Sequence, residues 1–138
     1  MDETELNAKI RRRSPAPGAR SRTTDAAFAA LAELTGRITV PVLAIHETGD
    51  ARVPFAVQQN YRRKTLAAGT ADLLVQRAVR WPGHCVFDGE VREQAFDDLV
   101  AWIERGVKPA GDDVLTTDMA TLGRRWTPAP HPEDAPAR

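Results

Sequence analysis

One cysteine, Cys85, occurs in the 138 residues. That excludes an intrachain disulfide and a multi-cysteine zinc site. No apolar run approaches the ~20 residues of a membrane span. The opening Met1-Asp2-Glu3-Thr4-Glu5-Leu6 is acidic where a secretory signal would be apolar. The default expectation is therefore a cytoplasmic chain with no membrane partner. Charge of either sign is not in excess: Lys+Arg and Asp+Glu both number 19, so no global field draws the chain to nucleic acid or an anionic surface. The three histidines, His46, His84 and His131, are too scattered for a metal site. No metal and no cofactor is expected, and no internal repeat is present.

The apolar residues that are present cluster between about Phe28 and Val107. Residues 1–23 form a basic lead-in. Lys9, Arg11, Arg12, Arg13, Arg20 and Arg22 fall in a stretch without acids, interrupted by Ser14-Pro15-Ala16-Pro17-Gly18. Such a run can bind nucleic acid or an import receptor. No aromatic interleaves the arginines to stack on bases, so the preferred reading is a solvated, disordered arm with no nucleic-acid partner. Residues 24–110 read as the folded part. Residues 111–138, punctuated late by Pro128, Pro130, Pro132 and Pro136, read as an irregular tail. Within that tail Val114, Leu115, Met119, Leu122 and Trp126 form either a short helix or an apolar patch.

Within the core the expected order is helix, strand, helix, strand, helix. Thr24 or Asp25 caps a short helix over 26–35. Val40, Val42, Leu43, Ala44 and Ile45 make a nearly continuous apolar run, the pattern of a parallel strand covered on both faces, over 38–46. Pro54 suits the first turn of a helix over 55–68, with Val57, Tyr61 and Leu66 inward. Leu73, Val75 and Val79 alternate along a second strand with one more polar face. Strand, helix, strand at this spacing is a βαβ unit with parallel strands. Asp88 caps a last helix over 89–105, which buries Val91, Ala95, Leu99 and Trp102 or Ile103, with Phe96 and Val100 beside them. Arg105, Gly106 and Pro109 stop it. The expected core includes Leu43, Ile45, Val57, Leu74, Val75, Leu99 and Ile103. The fold class is α/β.

In open α/β sheets, chemistry gathers beyond the carboxyl ends of the strands. Thr48-Gly49-Asp50 follows the first strand and Pro82-Gly83-His84 follows the second. Parallel neighbours align these ends, so Asp50 and His84 can meet across 34 positions of sequence. Taken alone, Asp50 would be read as a turn-former. Together the two residues are the orienting half of a nucleophilic triad. The imidazole serves as general base and then general acid, and the carboxylate fixes its tautomer. His46, at the end of an apolar strand, reads as a hydrogen-bonded core residue. Trp81, Trp102 and Trp126 read as packing, and Cys85, followed by Val86 and Phe87, as a packed thiol.

From about Thr35 to Pro109 the chain resembles the C-terminal part of an α/β-hydrolase fold protein. Val40-Pro41-Val42-Leu43-Ala44-Ile45-His46-Glu47-Thr48-Gly49-Asp50 looks like that family's seventh strand and acid turn, continued by Arg52-Val53-Pro54. Pro82-Gly83-His84-Cys85-Val86-Phe87 looks like its histidine loop, and Val91 to Gly106 like its closing helix. The Gly-His-Cys variant is similar to that of bacterial esterases and peptidase-like hydrolases. The resemblance implies a partial α/β-hydrolase fold with Asp50 as triad acid and His84 as triad base. The family's nucleophile sits in Gly-x-Ser-x-Gly, on an elbow well before the acid. Here the serines are Ser14 and Ser21, in Arg-Ser-Pro and Arg-Ser-Arg contexts, and neither fits. The elbow, the oxyanion-hole loop and the earlier strands have no counterpart before residue 35.

The expectation is thus a truncated or incomplete serine hydrolase. It would act on a small-molecule ester or amide if a nucleophile completes it. The alternative is a non-catalytic interaction module derived from such a hydrolase. In either case the strand over 38–46 would leave one edge open, and either self-association through that edge or marginal stability of the isolated chain is expected.

Overall fold

The computed structural model describes residues 34–128, and everything below lies in the unit formed by residues 35–138. The basic lead-in, Ser14, Ser21, His131 and nearly all of the helix expected over 26–35 fall outside the described residues.

The sheet has two strands, β1 (Val42–Glu47) and β2 (Leu74–Val79), paired in parallel with Val42 opposite Leu74 and Glu47 opposite Val79. Helix α1 (Ala56–Ala68) and a single 3-10 turn, Ala71–Leu73, connect them. Helix α2 (Gly89–Arg105) follows β2. The α/β class and the βαβ order hold. β1 begins four residues later than the apolar run suggests: Val40 is exposed, and pairing starts only after Pro41, which has no N–H to give a ladder.

Three of the four ends of α1 and α2 are chemically marked, and the start of α1 has no side-chain cap. Asp88 accepts the Glu90 N–H at 2.9 Å and opens α2. Gly69 and Gly106, both left-handed, close α1 and α2.

β2 is buried along all six residues, and this includes its polar pair. Consecutive side chains on a strand point to opposite faces. Gln76 donates to Gln58 of α1 at 2.8 Å, while Arg77 pairs with Asp98 of α2 at 2.5 Å and stacks 3.8 Å from the Trp126 ring centre. The two helices therefore lie on opposite faces of the sheet. The more polar face expected of this strand, which carries Gln76, is not solvated; it is covered, with Gln76 Nε2 bonded to Gln58 and the buried Gln76 Oε1 accepting no hydrogen bond among the described residues.

The outer edge of β2 is occupied by the segment assigned to the tail. Asp112 N–H donates to the Gln76 carbonyl, and the Asp112 carboxylate accepts the Ala78 N–H, both at 2.7 Å. Thr127 Oγ1 accepts the Arg80 N–H at 2.8 Å. Val114 and Leu122 are core residues alongside Leu74, Val75, Ala78, Val79, Ala95 and Trp102. Residues 111–127 form turns without a helix, yet they complete the core. The other edge of β1 has no strand partner among the described residues.

Several expected inward side chains point outward. Val57 and Leu66 on α1 are exposed, and buried Thr65 takes the inward place. On α2, Phe96 is 66% and Ile103 61% exposed, so Ala95 and Trp102 form its buried line. Leu43, Ile45 and Leu99 are half-buried. Trp81, expected to pack, is exposed.

Candidate functional site

The two strands continue to hydrogen-bond past their ends. Thr48 N–H donates to the Val79 carbonyl at 2.8 Å and Gly49 N–H to the Trp81 carbonyl at 3.2 Å. The turn after β1 is thereby zipped onto the loop after β2. Gly49 is required by this approach: a Cβ there would lie 2.9 Å from the Trp81 carbonyl oxygen and 3.0 Å from Pro82 Cα.

Asp50 follows, with its side chain 3% exposed. Its two oxygens divide the work. Oδ1 accepts the N–H groups of Arg52 at 2.8 Å and Val53 at 2.9 Å, forming the turn. Oδ2 accepts Nδ1–H of His84 at 2.8 Å. The sequence-predicted pair is therefore brought together, with His84 34% exposed. Burial would raise the Asp50 carboxyl, but the hydrogen bonds from Val53, His84 and Arg52 more than offset it. They hold the pKa at about 2, below the ordinary 3.8. The carboxylate is ionised at neutral pH. It selects the tautomer in which Nδ1 carries the proton and Nε2 presents a lone pair.

Cys85 Sγ lies 3.9 Å from His84 Nε2. Cys85 is exposed, not packed as the apolar residues after it suggest, and its backbone lies in the left-handed region with φ +58°. His46 is buried, donates Nδ1–H to the Glu47 carbonyl at 2.8 Å, and meets Phe55 edge to face. It takes no part in the pair.

One residue at this site carried no sequence expectation. Glu47, 2% exposed at the last position of β1, directs its carboxylate at the His84 loop. It accepts the Val86 N–H at 2.8 Å and the Cys85 N–H at 3.3 Å. An acidic residue closing an apolar strand was the available signal.

A cleft of about 500 Å³ between α2, Arg77 and residues 125–128 includes neither Asp50 nor His84. Among the described residues no group of three His, Cys, Asp or Glu is placed to hold a metal ion, and no helix is long and apolar enough to cross a membrane. Chemically, the arrangement can take a proton at Nε2 and stabilise the resulting imidazolium through Asp50. Compared with known proteins, the chain matches no family model and no solved structure.

Proposed function

We propose that this chain carries the acid and the base of a serine-hydrolase triad, Asp50 and His84, on the C-terminal part of an α/β-hydrolase fold. The reaction is acyl transfer from a small ester or amide to water, once a nucleophile stands at Nε2. The single observation that carries the reading is the 2.8 Å contact between Asp50 Oδ2 and His84 Nδ1, made by two loops that leave the same end of two parallel strands. A carboxylate held at a pKa of about 2 suits the role, since it stays charged while the imidazole cycles. The sequence holds no elbow serine. The imidazole then has no elbow hydroxyl to activate, and no acyl-serine forms.

A second reading, an interaction module without catalysis, is favoured by two features. Phe96 and Ile103 on α2, and Val107 just beyond it, expose apolar surface, and β1 has an edge without a strand partner among the described residues.

Labelling by a fluorophosphonate probe tests the first reading. The 138-residue chain should neither label nor turn over an ester above a His84→Ala control. A longer product of the same locus that contains Gly-x-Ser-x-Gly should label on that serine and lose turnover on His84→Ala or Asp50→Asn. A longer product indifferent to both substitutions would contradict it.

A further inference from the structure

We infer that Glu47 is a positioning residue, whose buried carboxylate clamps the loop that carries His84 and so sets the imidazole against Asp50. The inference rests on the reading of Asp50 and His84 as a working pair.

An ionised carboxylate is an acceptor only, and burying one is costly unless donors surround it. Glu47 is 2% exposed and receives two backbone N–H groups, those of Cys85 and Val86, the two residues directly after His84. Consecutive N–H groups converge on one anion when a residue between them adopts the left-handed conformation, which makes a small anion-binding nest. Cys85, at φ +58°, is in that conformation. The nest is filled by a side chain of the same molecule.

The loop is thereby tied on both sides of the histidine. Before it, the Trp81 carbonyl accepts Gly49 N–H. After it, Glu47 holds residues 85 and 86. Both ties come from the stretch Glu47–Asp50, which also supplies the carboxylate on the ring. One short segment therefore sets the backbone of the loop and the orientation of its imidazole. Without the Glu47 tie, the backbone directly after His84 would lose the carboxylate that holds its two N–H groups, and the ring would lose the preorganisation that a general base needs.

Hydrogen exchange and imidazole NMR on the full 138-residue chain test this. In the unsubstituted protein the Cys85 and Val86 amides should exchange at least about tenfold more slowly than unbonded loop amides. The His84 Nδ1 proton should be visible and slow to exchange. In Glu47→Ala that proton should vanish while the amides of Val42–Glu47 and Leu74–Val79 remain protected. Glu47→Gln, which keeps one acceptor oxygen, should retain a weakened signal. A folded Glu47→Ala protein with an unchanged His84 signal would reduce Glu47 to a structural role and overturn the inference. Unprotected Cys85 and Val86 amides in the unsubstituted protein would overturn it too, and this measurement decides the matter if Glu47→Ala fails to fold. Protected amides with no His84 Nδ1 signal would instead sink the Asp50–His84 pair, leaving nothing for Glu47 to position.

Discussion

Asp50 performs two tasks with two oxygens, and the physics of each could be read separately. Its pKa of about 2 against an ordinary 3.8 means that the folded chain binds the proton less readily than the unfolded one. The sign follows: its stabilising contribution is complete above the unfolded value, shrinks as pH falls, and is gone below the folded value. Urea denaturation should therefore show stability falling between pH 4 and pH 2, with a shallower fall in Asp50→Asn. Equal slopes in the two proteins would show that Asp50 is not held as described. Gly49→Ala should destabilise the turn and loosen the His84 contact, since the added methyl would meet backbone atoms of Trp81 and Pro82 that cannot step aside; a melting temperature and imidazole spectrum unchanged by it would count against the zipped turn. Asp50 and His84 were legible because strand ends in parallel register are predictable from two apolar runs and the spacing between them. Glu47 was legible only as an acidic residue closing an apolar strand; its partners are backbone N–H groups, which leave no trace in a sequence. The exposure of Cys85 was not legible, because the apolar Val86 after it suggests packing although Val86 is itself exposed.

The elements were best marked at their ends. Asp88, Gly69 and Gly106 announced where helices begin and stop, and α2 has the bounds that its cap and stop residues imply. Asp88→Ala should cost about 1 kcal/mol in urea denaturation, the usual worth of a lost N-cap. Faces were less legible than ends. Periodicity shows which side chains share a stripe but not whether anything covers it, so Val57, Leu66, Phe96 and Ile103 were assigned to a core that does not reach them. The opposite holds on β2, where the alternation predicts one more polar face and both Gln76 and Arg77 are instead buried, against α1 and α2 respectively. The edge of β2 is a further case: nothing local in Asp112 shows that it will take the place of a neighbouring strand. Asp112→Ala leaves the Ala78 N–H without its acceptor. It should cost about 1–3 kcal/mol by the same assay, the penalty for an unsatisfied buried donor. A loss within a few tenths would show that residues 111–127 merely rest on the sheet.

At the scale of the molecule, the core is asymmetric. β2 is covered on both faces and along its outer edge, while β1 is only half-buried over most of its length. Exposed Phe96 and Ile103 lie on α2, the helix that packs against β1. Exposed apolar surface, together with a β1 edge that has no strand partner among the described residues, favours association. Sedimentation velocity should therefore show concentration-dependent self-association. The double substitution Phe96→Glu and Ile103→Glu should reduce it without lowering the melting temperature, because neither side chain is in the core. A monodisperse monomer across the concentration range would contradict this part of the account.

The central claim is that Asp50 holds His84 in the form a general base requires. The nitrogen-15 spectrum of the His84 ring reads this directly in the 138-residue chain. The expected result is a neutral imidazole with the proton on Nδ1 and Nε2 bare, a preference that is lost in Asp50→Asn. A ring protonated on Nε2 in its neutral form, or a tautomer indifferent to Asp50→Asn, would contradict the claim.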